Sequence, residues 1–243
     1  MDPYLLPHLE DLRRAAERQC RTVGSAFLAP AEALAAKEAF EGKAPFALDG
    51  GYEGAERQRA FFFPLGEEIE SDTCCVHIEA KGKRFAASLT HRDYLGAILG
   101  QGIERGAIGD LVALEGEAYA FCLPSVLPSL LSLESIGRFP VRVCKIDTSS
   151  FPAPKPLEER RLTISSYRLD ALVAEAFSLS REEAKKAILA GIVAQNGVPC
   201  LRPDGAIKEG DKIALRGKGK IAILEFLGTS RKGKEAVRIG IYR

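Results

Sequence analysis

Apolar positions repeat at helical spacing from the start of the chain. Leu9, Leu12, Ala16 and Cys20 share one face, which predicts the first of two helices within residues 8–41. The second has Pro30 near its start and Gly42 just past its end. The stretch APFALDGGYEGAERQRAFFFP (residues 44–64) then predicts two short apolar strands about Gly50-Gly51 and a short polar helix. Residues 1–73 therefore read as a small α/β module.

From Cys74 the period changes. CVHIEA and RFAASL flank Gly82 and predict a strand pair. HRDYLGAILGQG (91–102) predicts a helix ending at glycine, with Thr90 as its cap and Asp93 at the third position. DLVALEGEAYAFC (110–122) predicts two strands about Glu115-Gly116-Glu117. PSVLPSLLSLESIG (124–137) predicts a helix opened by Pro124, and FPVRVCKI (139–146) a last strand. With one strand counted for the Gly82 pair, residues 74–148 run β-α-β-β-α-β, a ferredoxin-like (RRM-like) plait. SSFPAPKP (149–156) carries three prolines, so 149–160 is expected to be a semi-rigid linker.

Beyond it, Leu169, Leu172, Val173 and Ala176 fall at i, i+3, i+4 and i+7, one buried stripe, with Ser165 or Ser166 as candidate caps. Arg168 sits in the first turn, off that stripe, where a cation opposes the helix dipole and so calls for a partner. Ser180 and Glu183 form an S-x-x-E capping box, and Gly191 is placed to end the next helix in the left-handed region. Arg181 and Lys185 are four apart on that helix, with Lys186 adjacent. Ile192–Gln195 reads as a strand and Asn196-Gly197 as a type I′ hairpin turn. Further strands follow, with Arg216, Lys218 and Lys220 on a glycine-rich loop and Arg231, Lys232 and Lys234 repeating the theme. The fold class is α+β in three modules: 1–73, 74–148 and 161–243.

Charge sharpens this picture. The net charge is only +1, but residues 160–243 hold 17 Lys/Arg against 9 Asp/Glu and residues 1–159 hold 17 against 24. A basic end on an acidic carrier points to a polyanion partner. Cations on helix and loops with few interleaved aromatics suit phosphates of structured RNA better than stacked single-stranded bases. The six cysteines contain no C-x-x-C pair and the three histidines no zinc spacing, so reduced core thiols and no metal or cofactor are expected. The N-terminus lacks an apolar run, and Ala118–Leu133 is broken by Pro124 and Pro128, so neither signal peptide nor membrane span is expected.

Three short motifs are declined. His91-Arg92-Asp93 lacks the asparagine that a kinase loop carries five residues on, since Ile98 stands there. KGKRFAAS has one Phe where an RRM strand needs several aromatics, and the acidity of the middle module argues that it positions the basic end or touches protein. YRLD (167–170) is similar to the G-R-L-D motif of pseudouridine synthases, but too little chain follows for their catalytic domain.

The string RLDALVAEAFSLSREEAKKAILAGIVAQNG…GDKIALRG resembles the S4 RNA-binding domain over about a third of the chain. That resemblance implies RNA binding by the two-helix face carrying Arg168, Arg181, Lys185 and Lys186. GGYEGAERQRA, THRDYLGAILGQGIERGAIGDL and RGKGK…GTSRKGK extend it, and the chain resembles the YlmH-like family of S4-domain RNA-binding proteins over nearly its whole length. One departure is Gly106-Ala107, where the family more often has a basic pair. The resemblance implies a cytoplasmic, ribosome-associated, non-catalytic monomer. Its expected partners are rRNA of the large subunit, peptidyl-tRNA and a quality-control elongation factor, in rescue of obstructed ribosomes. The alternatives are an rRNA-modifying enzyme with its activity in residues 1–150 and a protein-interaction scaffold.

Overall fold

Leu5, Leu9 and Ala16 bury one stripe of the first helix, α1 (Leu5–Gln19), while Arg13 bridges Glu10 and Glu17 on its outer face. The structure, a computed structural model, describes residues 2–81, 89–152, 158–229 and 233–242. The helix α2 (Pro30–Phe40) follows, but between the two lies β1 (Val23–Leu28), which helical periodicity alone did not reveal. It pairs antiparallel with β3 (Gln58–Phe62), which pairs in turn with β2 (Phe46–Asp49), giving the sheet order β1-β3-β2. Phe40 of α2 meets Phe62 edge-on at 5.0 Å, closing a small core. The expected polar helix between β2 and β3 does not form. The amides of Glu56 and Arg57 donate to the distant carboxylate of Asp110, and that of Gly51 to Asp49, so they are not available to a helical ladder.

The second sheet has the order β5-β6-β4-β8-β7, from β4 (Cys74–Ala80), β5 (Ile108–Leu114), β6 (Glu117–Cys122), β7 (Ser135–Ile136) and β8 (Phe139–Ile146). All its pairings are antiparallel, and the first strand lies between the third and the last, the arrangement of a split βαβ plait. The helices α3 (His91–Leu99) and α4 (Leu127–Leu131) cover one face, burying Tyr94, Ile98 and Leu130 on Val76, Ile78 and Ala120. The helix expected over 124–137 shrinks to α4 and a preceding 3₁₀ turn, because Ser135 and Ile136 turn back as β7 along Pro140 and Phe139. The expected strand RFAASL falls mostly on residues outside those described.

The chain divides into two compact units, residues 1–153 and 154–243. Both sheets above, and so both modules expected within 1–148, belong to the first. The boundary falls inside the expected linker, whose last residues, Glu158–Arg160, are already strand.

In the second unit, a six-stranded antiparallel sheet has the order β11-β10-β12-β13-β14-β9. Its strands are β9 (Glu158–Ile164), β10 (Val193–Gln195), β11 (Val198–Pro199), β12 (Lys212–Leu215), β13 (Gly219–Thr229) and β14 (Glu235–Tyr242). The helices α5 (Leu169–Ala176) and α6 (Arg181–Leu189) lay Leu172, Val173, Ala184 and Ile188 on Val193, Ile213, Ile223 and Val237. Ser180 and Glu183 form the expected capping box, and Gly191 follows α6 at φ +68°. Asn196 and Gly197 take the positive φ values of the expected turn. The Asp211 carboxylate secures that turn by accepting from Asn196 at 2.8 Å and Gln195 at 2.7 Å. Among the described residues no helix is long and apolar enough to cross a membrane.

Candidate nucleic-acid interface

The start of α5 is held by backbone, not by a serine. The amides of Leu169 and Asp170 donate to the carbonyls of Gly205 and Pro203, each at 2.9 Å, and Arg168 rather than Ser165 or Ser166 is the N-cap. Arg168 is extended at φ −116° and ψ 149°. Its guanidinium returns to Asp170 two residues on, with Nε and Nη2 each donating at 3.2 Å to one carboxylate oxygen. The partner that a cation at this position calls for is therefore in its own tripeptide. Asp170 has no exposed side-chain surface. Its negative charge also lies in the first turn of α5, where the helix dipole favours it.

Arg181, the first residue of α6, reaches the same carboxylate. Its Nη2 donates to Asp170 at 3.0 Å and its Nη1 to Ser165 Oγ at 2.6 Å. One buried carboxylate thus fixes two guanidiniums drawn from two helices, and these stay 43% and 39% exposed. Two cations on one anion leave a local charge of +1 at the surface. Each arginine spends two of its five donors on these contacts, leaving the others for a ligand. Sequence reasoning weighed Asp170 only as a nucleophile. Its signal as a holder was the acid two residues after an arginine at a helix start.

The other expected contacts divide into groups. Lys185 pairs with Glu182 at 3.2 Å on the rim of α6, so it does not simply confront Arg181 four residues away. Lys186 is exposed on the same helix. Lys218, in the turn between β12 and β13, comes to the end of α5, where its Nζ donates to the Phe177 carbonyl at 3.4 Å. Glu183 records this convergence. The Ser180 hydrogen bonds hold its carboxyl below the usual range, and the charges of Lys218 and Lys186 lower it further. Arg216 is exposed beside that turn. Lys220 lies within β13, opposite Ala214 and Tyr242, and not on the loop. Lys234 stands at the other end of the β13–β14 hairpin, roughly 30 Å along the strand from Lys218. Arg231 and Lys232 lie outside the described residues. The helix-face cations therefore form one group, and Lys234 stands apart from it.

In the first unit the glycine-rich motifs build a clamp between its two sheets. Asp110 accepts from Tyr52 Oη at 2.7 Å and from the amides of Glu56 and Arg57 at 2.7 and 3.0 Å. Burial, then the Asp110 charge, pushes the Tyr52 phenol up. Arg57 donates to the carbonyls of Phe27 at 2.8 Å and Ile108 at 3.2 Å, and Arg105 donates to Ile108 and Gly109. A Cβ on Gly109 would lie 2.5 Å from the Phe27 ring, so the close approach of β1 and β5 needs glycine there.

Behind this clamp, on the plait face away from its helices, Phe121 stacks on Tyr52 at 4.9 Å and meets Phe151 edge-on at 5.0 Å. Phe151 also packs on Tyr119, which stacks with His77 at 4.7 Å. The third strand of the plait is β6, so Tyr119 and Phe121 are its same-face aromatics. KGKRFAAS is a different segment of the chain, preceding α3.

Among the described residues no His, Cys, Asp or Glu group is arranged to hold a metal.

The comparisons with known proteins agree on one family. A family model described as "Putative RNA-binding domain in YlmH" matches residues 70–150. That description does not support reading the plait as a segment that meets protein rather than RNA. The "Ribosome-associated protein quality control protein P2" of Bacillus subtilis (strain 168) is 31% identical over 229 residues, spanning 91% of this chain and 88% of its own. The solved structure of "Cell division protein ylmH from Streptococcus pneumoniae" is 19% identical with a TM-score of 0.51, covering 61% of this chain and 92% of that one. At that identity the likeness speaks for the fold alone.

Proposed function

The chain belongs to the YlmH family, and we propose that it is a non-catalytic RNA-binding factor of ribosome-associated quality control. The C-terminal unit is an S4 domain that grips rRNA of the large subunit by its phosphates. The observation that carries this reading is the pair of half-exposed guanidiniums of Arg168 and Arg181, fixed by the buried carboxylate of Asp170. A planar fork whose orientation is already set loses little entropy when it meets a phosphate. Lys185, Lys186 and Lys218 surround it and add sequence-independent attraction. Arg216, Lys220 and Lys234 extend the contact along the sheet, and Arg231 and Lys232, outside the described residues, add basic charge for the tRNA and elongation factor expected as further partners. The protein works in the cytoplasm as a monomer on the ribosome.

The printed name of the Bacillus subtilis relative supports the quality-control setting. The pseudouridine-synthase alternative needs Asp170 free to attack. Both its oxygens are taken by guanidiniums, which disfavours it.

Ribosome co-sedimentation at two salt concentrations tests the proposal. Wild type is expected to travel with large subunits at low salt, and the Arg181→Ala/Lys185→Ala variant to stay at the top of the gradient. Loss of each phosphate contact is also expected to lower the salt slope of RNA binding by about one unit. Co-sedimentation of neither protein would defeat the ribosome reading. Equal co-sedimentation of both would remove the function from this face and favour a scaffold.

A further inference from the structure

In the first unit, the guanidiniums of Arg57 and Arg105 converge on one acceptor, the carbonyl oxygen of Ile108. Arg57 comes from the loop before β3 and Arg105 from the turn before β5, so the two meet only in the folded chain. Arg57 also donates to Phe27 O and Arg105 to Gly109 O. All four contacts are to neutral carbonyls. Neither arginine has an ion pair with a carboxylate among the described residues, and donors remain unused on both. Asp110 is close, but its oxygens are occupied by Tyr52 Oη and two amides. Glu32 is also near, and it caps α2 through the Ala29 amide at 2.7 Å.

Keeping two half-buried cations side by side is unfavourable. Burial lowers the pKa of both, and for Arg105 the Arg57 charge lowers it further, against smaller opposing pulls from Asp110 on both and from Glu32 on Arg57. The charge of Arg105 also reaches His91, the first residue of α3. Burial and then the Arg105 charge push its imidazole below the ordinary value, against a smaller opposing pull from Asp110. A group bearing negative charge and several acceptor oxygens would relieve this arrangement.

A plait can also meet RNA by stacking bases on the aromatics of its central strands. Here Phe121 is fully buried beneath Tyr52 and Phe151, and Tyr119 is packed against Phe151. That route is closed at Phe121, and the arginines offer contacts to the phosphate backbone instead.

We infer that Arg57 and Arg105, at the junction of the first sheet and the plait, form a second RNA-contacting site that takes a backbone phosphate. The inference rests on the RNA-binding reading above but not on the Arg168–Asp170–Arg181 group. Arg57 lies outside the stretch matched by the RNA-binding family model, so the site is completed by the N-terminal sheet.

The test uses the full chain and a fluorescently labelled RNA duplex, with affinity measured as a function of salt. Arg57→Gln/Arg105→Gln is expected to bind about tenfold more weakly, with a salt slope smaller by about two units. Because Arg57 also ties β1 to β5, that variant is paired with His91→Glu/Arg92→Glu. Its new charges sit at an exposed helix start, where the dipole tolerates them. It is expected to keep the wild-type melting temperature and lose affinity by repulsion. Wild-type affinity and slope in His91→Glu/Arg92→Glu, alongside loss in Arg181→Ala/Lys185→Ala, would overturn this site and leave the C-terminal reading standing. No RNA binding by wild type would overturn both. Binding of wild type to polyglutamate that Arg57→Gln/Arg105→Gln loses, with RNA binding unaffected by either first-unit variant, would assign the site to an acidic protein and overturn the inference.

Discussion

Two arginine pairs, one in each unit, are held in opposite ways. In the C-terminal unit Arg168 and Arg181 share a fully buried carboxylate. In the N-terminal unit Arg57 and Arg105 share a neutral carbonyl. A carboxylate neutralises part of the charge it orients, so that pair can stand ready at modest cost. A carbonyl orients without neutralising, so the second pair relies on the more distant charges of Asp110 and Glu32 for compensation. The surroundings differ as well. The second unit is built round a mainly aliphatic core, whereas the first unit includes the aromatic group of Phe27, Tyr52, Phe121 and Phe151.

The strongest way to break the comparison is to remove the aromatic support. Phe121→Ala is expected to cost about 3–5 kcal/mol in the first unit. Hydrogen exchange read by mass spectrometry should show lost protection over residues 74–122 and unchanged protection over 169–239. Equal loss in both regions would mean that the units do not differ in what supports them.

Asp170→Asn addresses the carboxylate directly. The partners are partly exposed, so the stability loss is expected to be about 1–2 kcal/mol by urea unfolding. RNA affinity should fall although the variant is one charge more positive, because the two forks lose their orientation. A rise in affinity would mean that charge alone carries the site. Ser180→Ala removes the cap that starts α6 just ahead of Arg181 and should cost about 1 kcal/mol. The unfolding midpoint should shift while the first unit's exchange pattern stays the same.

The smallest effect is chemical. Burial pushes the Cys75 and Cys122 thiols up to about 12, whereas Cys20 is exposed. At about pH 8 iodoacetamide should therefore modify Cys20 well before either, unless the aromatic layer opens.

Much of the second unit was legible in the chain. The stripe Leu169, Leu172, Val173 predicts α5, Ser180 with Glu183 predicts α6, and Asn196-Gly197 predicts a turn. The α6 cap lies within three residues, while the start of α5 and the turn gain partners further along at Gly205, Pro203 and Asp211. The first unit was harder to read. Val23–Leu28 is a strand between two helices and shows no clean alternation. Residues 51–57 look helical by composition, yet their amides bond Asp110 more than fifty positions away. In the plait the order of elements was visible. Which strand carried the paired aromatics was not, since that depends on which strand lies at the centre.

The sequence by itself determined where α6 begins, where the Asn196-Gly197 hairpin turns, and that the positive charge gathers at one end. These follow from contacts a few residues long and from simple counting. Only the tertiary structure decided which cations act together. Arg181 meets Asp170 eleven positions back, Arg57 meets the Ile108 carbonyl fifty-one positions on, and Lys234 is carried away from Lys218 by the length of β13. Those groupings depend on strand order and helix packing, because a guanidinium recognises whichever oxygen the fold brings within hydrogen-bond reach, whatever its distance along the chain.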